Sequence, residues 1–235
     1  MIQKDDKRQI WSWAMYDFAN SAFTTLVVTF IYGTYFTQSI ADNEILGTQY
    51  WSWGISITAI VVALLSPILG AIADNVGSRK GIMLLSTLVC VVATALLFFP
   101  QDGQVVFALG LFIIANIAFE FGTVFCNAYL PELSSEHRIG KVSGMAWGLG
   151  YVGGLLALVV ALLFFVQTEQ PILGFSTENG ENIRATNLLV ALWFLIFSLP
   201  LFFWVKDHKN KNNKPLSLAI KNSFDGLKNT LNSIS

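Results

Sequence analysis

Six long segments of the 235-residue chain carry almost no charged side chain. Crossing about 30 Å of hydrocarbon takes about 20 helical residues, and each segment is long enough. A segment in lipid must be helical, because lipid offers no hydrogen-bond partners to the peptide groups. The sequence therefore predicts an all-α membrane protein with six transmembrane helices. The predicted spans are Phe18–Ala41, Ile45–Ala73, Gly81–Gln101, Gly103–Pro131, Val142–Thr168 and Ala185–Val205.

Composition also separates the chain from soluble proteins. Hydrophobic residues make up 54% of it and charged residues only 12%, against about 25% charged in ordinary globular domains. A globule so poor in charge would not cover its own surface with polar groups. The net charge of −1 provides no basic patch for a nucleic-acid partner. Cys90 and Cys126 lie in apolar runs without a CxxC spacing, so we expect two buried thiols, no metal site and no cofactor.

The distribution of lysine and arginine predicts the orientation of the helices. Cytoplasmic loops of membrane proteins carry an excess of these residues. With the N-terminus inside, 13 of the 14 basic residues fall on the cytoplasmic side and Arg184 falls outside. We therefore expect both termini in the cytoplasm. The thirteen residues are Lys4, Lys7, Arg8, Arg79, Lys80, Arg138, Lys141, Lys206, Lys209, Lys211, Lys214, Lys221 and Lys228.

Both ends of the chain are predicted to lie at the cytoplasmic surface. Residues 1–17 show no cleavage signature of a signal peptide, and Trp11, Trp13 and Tyr16 are expected as interfacial anchors before the first span. Residues 206–235 begin with a basic stretch, after which apolar residues recur on one helical face. This pattern favours an amphipathic helix on the inner leaflet; the alternative is a tail that is disordered without a partner. The apolar residues are Leu216, Ile220, Phe224, Leu227, Leu231 and Ile234.

The fourth span carries an unusual set of polar side chains. A charged residue at the centre of a spanning helix costs about 2.5–3.5 kcal/mol on insertion scales. Spacings of four, three and four place the set on one helical face, which should point into the bundle or a water-filled cavity. Glu120 is predicted as a proton-coupling or solute-binding carboxylate; hydrogen bonding between helices is the alternative. The set is Asn116, Glu120, Thr123 and Asn127.

Two further spans contain candidate site residues. In the first span, Asn20 is the better candidate for lining a cavity, whereas Asp17 at the cytoplasmic end serves either in transport or as a helix cap. In the fifth span, Trp147 and Tyr151 either stack on a solute or fill gaps. The glycines around them are expected to let a neighbouring helix approach closely. These glycines are Gly144, Gly148, Gly150, Gly153 and Gly154.

The loop between the second and third spans reads GAIADNVGSRK at residues 70–80. Gly70 is expected to allow close helix packing, Gly77 a tight turn, and Asp74 a switchable charge cluster with Arg79 and Lys80. The pattern and its position resemble the signature loop of the major facilitator superfamily. The resemblance is incomplete, because Asn75 stands where a basic residue is usual.

Three other segments resemble one branch of that superfamily. They are WAMYDFANSAF at residues 13–23, NAYLPEL at 127–133 and SGMAWGLGYVGG at 143–154. They are similar to the autophagy-related vacuolar amino-acid effluxers and their bacterial relatives. The resemblance implies two six-helix halves with solute bound between them near the midplane, and it implies the inner membrane of a bacterium as the location. Residues 18–205 would form the N-terminal half, and residues 206–235 would begin the central cytoplasmic linker.

The sequence therefore predicts half of a secondary active transporter for a small solute. Its expected partners are the lipid bilayer and a second six-span half, and amino acids and other metabolites remain open as solutes. The cavity candidates are Asn20, Asn116, Glu120, Asn127, Trp147 and Tyr151. A membrane module that is inactive unless paired is the first alternative. A membrane enzyme is the second, but His137 and His208 both lie in cytoplasmic segments and the motifs of nucleophile, metal or phosphate sites are absent.

Overall fold

A computed structural model describes residues 4–76 and 79–207, without the side chains of residues 71–76. Within these residues all regular elements are helical. The predicted amphipathic helix beyond Pro215, the side chain of Asp74 and the whole of Gly77 lie outside the described residues. The α-helices are α1 (Lys7–Ala22), α2 (Tyr32–Tyr35), α3 (Glu44–Val76), α4 (Arg79–Leu96), α5 (Val105–Asn127), α6 (Leu130–Leu133), α7 (Ile139–Ala161) and α8 (Glu181–Trp204).

Five of the described helical stretches are long and apolar enough to cross a membrane. They correspond to the second to sixth predicted spans. The first predicted span is helical as well, but π-helical turns divide it into shorter pieces, so it is no single regular helix. The five stretches are Glu44–Gly70, Arg79–Leu96, Val105–Leu133, Ile139–Val166 and Glu178–Trp204.

The outside of the bundle is apolar. In α3, Ile60 and Leu64 are each about three-fifths exposed, and Leu85 in α4 and Leu163 after α7 are similarly exposed. Apolar surface on this scale is rare on monomers surrounded by water. The described helices therefore have the surface of a protein that is solvated by lipid.

α1 lies at the centre of the bundle, where it packs against α7 and α8. The helix begins after Asp6, whose carboxylate accepts a hydrogen bond from the Arg8 N–H at 2.9 Å. A hydrogen bond from the Gln9 side chain, together with that from Arg8, lowers the pKa of the Asp6 carboxyl. Asp6 is therefore the N-cap of α1, and the capping role considered for Asp17 is excluded, since Asp17 lies about three turns farther along.

The prediction that Trp13 and Tyr16 are interfacial anchors is wrong, because both side chains are fully buried inside the bundle. The Trp13 indole donates to the Cys126 carbonyl at 2.8 Å. The Tyr16 hydroxyl is 2.8 Å from the hydroxyl of Thr87 on α4. The amphipathic rings of Trp and Tyr are suited both to a membrane interface and to a buried hydrogen bond. Because α1 already begins at Lys7, both rings lie within the helix and face the interior of the bundle.

The π-helical segment Phe23–Phe30 follows α1 directly. The Thr29 hydroxyl donates to the Thr24 carbonyl at 2.8 Å, and the Trp51 indole of α3 donates to the Val28 carbonyl at 3.3 Å. Side chains thus supply hydrogen bonds to carbonyls in this irregular stretch. Such stretches occur frequently at functional sites.

Arg184, the basic residue predicted on the outer side, is buried at 6% exposure. One guanidinium nitrogen lies within 3.5 Å of the carbonyl oxygens of Phe98, Phe99 and Pro100, which follow α4. The guanidinium also lies over the Phe98 ring. A cation at the C-terminal end of a helix satisfies free carbonyls and complements the helix dipole, so Arg184 joins the end of α4 to the start of α8.

Close packing between α1 and α7 depends on glycine, as the sequence predicts. Of the five glycines in the fifth span, Gly150, Gly153 and Gly154 approach α1 closely. A Cβ atom at Gly153 would collide with the Phe18 carbonyl, and one at Gly154 would lie 2.6 Å from the Thr25 hydroxyl. At Gly144, Gly148 and Gly70, a Cβ would meet no atom of the described residues within 4 Å. These three glycines therefore make no close helix contact within the described part of the chain.

The contact at Gly153 generates a stability prediction. Gly153→Ala should force α1 and α7 apart and lower the free energy of unfolding by about 1–3 kcal/mol. Gly148→Ala is the matched control; it should be neutral or slightly stabilising, because alanine favours a helix over glycine. Thermal unfolding in detergent, followed with a thiol-reactive dye at the buried cysteines Cys90 and Cys126, measures both. Equal unfolding temperatures for the two variants would contradict the packing account.

Candidate functional site

A cavity of about 530 Å³ lies between α1 with its π-helical continuation, α5 and α7. Seven of the lining residues, on α1 with its continuation and on α5, have polar side chains, and aromatic rings line the α7 side. A cavity of this size falls within the range of small-molecule sites. The lining residues are Asp17, Asn20, Ser21, Thr24, Thr25, Phe30, Phe119, Thr123, Asn127, Trp147, Gly150, Tyr151 and Leu155.

The α1 wall carries the charge of the cavity. Asp17 is partly buried, and the Asn20 side chain lies beside its carboxylate. Asn20 lies one turn farther along and is buried. Ser21 and Thr24 continue the polar face, as their helical spacing indicates. The sequence thus correctly placed Asp17 and Asn20 together, and the structure brings both to the cavity.

The α5 wall contains only part of the polar set predicted in the fourth span. Thr123 and Asn127 line the cavity together with Phe119. Asn116 and Glu120 are absent from the lining, and Asn116 is almost completely buried by helix packing. Spacing identifies the helical face that avoids lipid, but it does not show which part of that face neighbouring helices cover.

The α7 wall is aromatic. Trp147 and Tyr151 are 67% and 66% exposed, and their rings form an edge-to-face pair with centroids 6.0 Å apart. Gly150, between them in sequence, approaches Ser21 and Asp17 of α1. Both rings present their surfaces to the cavity rather than filling gaps in the bundle interior.

The predicted gating residues Arg79 and Lys80 lie outside the cavity, at the end of the bundle where α4 begins. Arg79 makes an ion pair with Glu132 at 2.6 Å. The Lys80 ammonium donates to the Val205 carbonyl at 2.6 Å, and the Tyr129 hydroxyl donates to Asp207 at 2.9 Å. These contacts connect the start of α4 with the end of α8 and with the α5–α7 connection.

A second contact at the same end of the bundle holds the N-terminal segment. The Asp5 N–H donates to the Leu133 carbonyl at 2.8 Å, and the Asp5 carboxylate pairs with Arg138 at 3.2 Å. Residues before α1 are thereby attached to the α5–α7 connection. No sequence pattern indicates this contact, because Asp5 and Arg138 are ordinary charged residues in segments far apart along the chain.

Several lining residues were not among the predicted site residues. Thr25 does not share the helical face of the predicted polar residues of the first span. Three other lining residues, Phe30, Phe119 and Leu155, are apolar residues in apolar spans. Apolar side chains carry no signal that separates a cavity wall from a lipid-facing surface. Within the described part of the chain, no group of three or more His, Cys, Asp or Glu side chains is placed to hold a metal ion.

Comparison with known proteins adds an independent observation. Residues 41–235 match the family described as "Vacuole effluxer Atg22 like". The chain is 27% identical over 236 aligned residues to the uncharacterized MFS-type transporter YxiO of Bacillus subtilis, covering 99% of this chain and 54% of that protein. It is 22% identical over 213 residues to autophagy-related protein 22 of Yarrowia lipolytica, covering 66% of this chain and 34% of that protein.

A third relative is autophagy-related protein 22 of Eremothecium gossypii, at 24% identity over 180 residues, which cover 71% of this chain and 34% of that protein. The chain thus spans about half the length of its bacterial relative and about a third of the fungal ones. No solved structure matches the chain at a significant level.

Proposed function

Because the chain belongs to the family of vacuole effluxers like Atg22, we propose that it is the N-terminal half of a secondary active transporter for a small solute. Family membership confirms the resemblance drawn from the signature loop and the segments around it. The observation that carries the proposal is the cavity between α1, α5 and α7, which combines polar groups with exposed aromatic rings in an otherwise apolar bundle. Ligand sites have this mixture of chemistry.

The chain is an integral, multi-pass membrane protein. We propose that the interrupted helical stretch from α1 to Ile40 is a sixth crossing, with residues 18–205 as the bundle and both termini in the cytoplasm of a bacterium. The distribution of lysine and arginine supports this orientation. An irregular helix at membrane depth is tolerated where it lines a cavity, and the π-helical segment Phe23–Phe30 contributes Thr24, Thr25 and Phe30 to this one.

Transport would proceed by rocking of this half against a second six-span half, with solute held between them. The aligned bacterial relative is about twice as long as this chain, which supports a second half as the partner. The contacts of Arg79 and Lys80 at the cytoplasmic end would be remade as the half tilts, which gives these residues their gating role.

The aromatic wall provides a direct test of the solute site. Trp147→Ala should weaken solute uptake by about tenfold, since an aromatic contact contributes about 1 kcal/mol or more. Trp53→Ala is the matched control, because Trp53 is also half-exposed but lies on α3 away from the cavity. Uptake of a panel of radiolabelled metabolites into proteoliposomes measures both. Equal loss in the two variants would argue against a solute site at Trp147.

Proton coupling is the second part of the proposal, with Glu120 as the coupling carboxylate. Glu120 lies on α5 one turn before the lining residue Thr123. Protonation of the Glu120 carboxylate can therefore shift α5, and with it the cavity wall that α5 forms. Glu120→Gln should abolish uptake driven by a pH gradient and retain exchange of solute at equal pH, because the amide cannot release a proton. Uptake driven by a pH gradient in this variant would remove the role from Glu120.

A membrane module that is inactive unless paired is the alternative function. The chain spans about half of its bacterial relative, and one half alone encloses no alternating-access pathway. The mass of the purified protein in detergent, measured by light scattering, separates the two. A complex of two six-span units with uptake supports a transporter, whereas a monomer without uptake supports the alternative.

A further inference from the structure

We propose that the cavity recognises a cationic nitrogen on its solute and that the Asp17 carboxylate binds this nitrogen. The inference rests on the proposed transport function and deepens it, because it names the chemical class of the solute. It also assigns the binding charge of this half to Asp17 and not to Glu120, which lies outside the lining.

The first argument is the charge of the lining. Among the described lining residues, Asp17 is the sole carboxylate, and none is a lysine, arginine or histidine. The ion pairs within the described residues join Arg79 with Glu132 and Arg138 with Asp5, so no protein cation neutralises Asp17 there. A partly buried charge without a counter-ion is costly. A cationic group on the solute would offset that cost.

The second argument is the position of the carboxylate. Asp6 caps α1 and Asp17 lies about three turns beyond it, so helix capping does not explain the residue. The polar neighbour of its carboxylate on α1 is the Asn20 side chain. A carboxylate has room for about four hydrogen bonds, and the lone pairs that remain can accept N–H bonds from a protonated amine.

The third argument is the aromatic wall. The exposed rings of Trp147 and Tyr151 line the same cavity as Asp17, and the face of an aromatic ring attracts a cation. A protonated amine in the cavity would therefore be attracted by the carboxylate and by the ring faces. A carboxylate-bearing solute without an amine would meet repulsion from Asp17 and from both ring faces.

The fourth argument is an unused hydrogen-bonding group. Thr123 is a lining residue on α5, and its hydroxyl oxygen is buried without a hydrogen-bond partner among the described residues. Buried hydroxyls are normally hydrogen-bonded. Rotation of the Thr123 side chain would turn this hydroxyl into the cavity, where it and the Asn127 amide offer acceptors for the other N–H groups of an ammonium.

Three probes of one shape and different charge test the inference. Benzylamine is cationic at neutral pH, benzamide is neutral and benzoate is anionic. A ligand that binds the folded state raises the unfolding temperature in proportion to its affinity, and the thiol-reactive dye at Cys90 and Cys126 reports this temperature without any transport step. We expect benzylamine to stabilise the full chain, benzamide to do so weakly and benzoate not at all.

Variants locate the selectivity at Asp17. Asp17→Asn should weaken benzylamine binding by about 10- to 100-fold, the value of a lost charge-assisted hydrogen bond, and should leave benzamide binding unchanged. Asp17→Glu should keep the preference for the amine. Glu136→Gln, in an exposed cytoplasmic loop, is the control for loss of a negative charge elsewhere and should behave as the wild type.

The outcomes distinguish this inference from the transport function. Equal stabilisation by benzylamine and benzamide in the wild type, or retained amine preference in Asp17→Asn, would overturn the inference. If Asp17→Asn does not fold, the exposed variant Trp147→Leu replaces it, and undiminished amine preference there would also overturn the inference. Uptake by the wild type of solutes without an amine would refute the amine class and leave the transporter standing, whereas absence of all uptake by the paired protein would refute the transporter itself.

Discussion

The close contact between α1 and α7 determines the geometry of the site. Gly153 and Gly154 let the two backbones approach until α7 touches the Phe18 carbonyl and the Thr25 hydroxyl. This contact places the polar face of α1 beside the aromatic face of α7. The buried hydrogen bonds of Trp13 and Tyr16 then fix α1 against α5 and α4. If α1 and α7 were farther apart, they would no longer form one continuous cavity wall. The glycines at the contact between these helices are therefore required for the site to exist.

The remaining polar groups are used at the two ends of the bundle. At the end where α8 begins, Arg184 binds the carbonyls that follow α4. At the opposite end, the Arg79–Glu132 pair and the Lys80 contact to Val205 connect α4 with its neighbours. Between these ends the outer surface is apolar, and the cavity is the place where polar side chains are concentrated. This separation is what a helix bundle in lipid requires, because polar groups at membrane depth must face protein or water.

Much of this architecture could be predicted from the sequence, because lipid imposes simple rules. Long apolar runs predicted five of the helical spans. Helical spacing placed Asp17 and Asn20 on one face of the first span, and that face borders the cavity. The errors arose where tertiary packing decides. Trp13 and Tyr16 had the composition of interfacial anchors, and Asn116 shared a face with Thr123 but is covered by neighbouring helices. The burial of Arg184 depends on the position of the free carbonyl groups that follow α4. No local pattern in the sequence predicts that these carbonyls lie beside Arg184.

The central claim is that α1, α5 and α7 enclose a cavity that contains water. The most direct measurement compares cysteines at Thr24 and Leu156 in native membranes, with an uncharged hydrophilic thiosulfonate reagent. Thr24 is partly buried and lines the cavity, whereas Leu156 is 47% exposed on the outer surface of α7. The account predicts that Thr24→Cys reacts and Leu156→Cys does not, because lipid excludes the reagent. Reaction at Leu156→Cys with none at Thr24→Cys would contradict it.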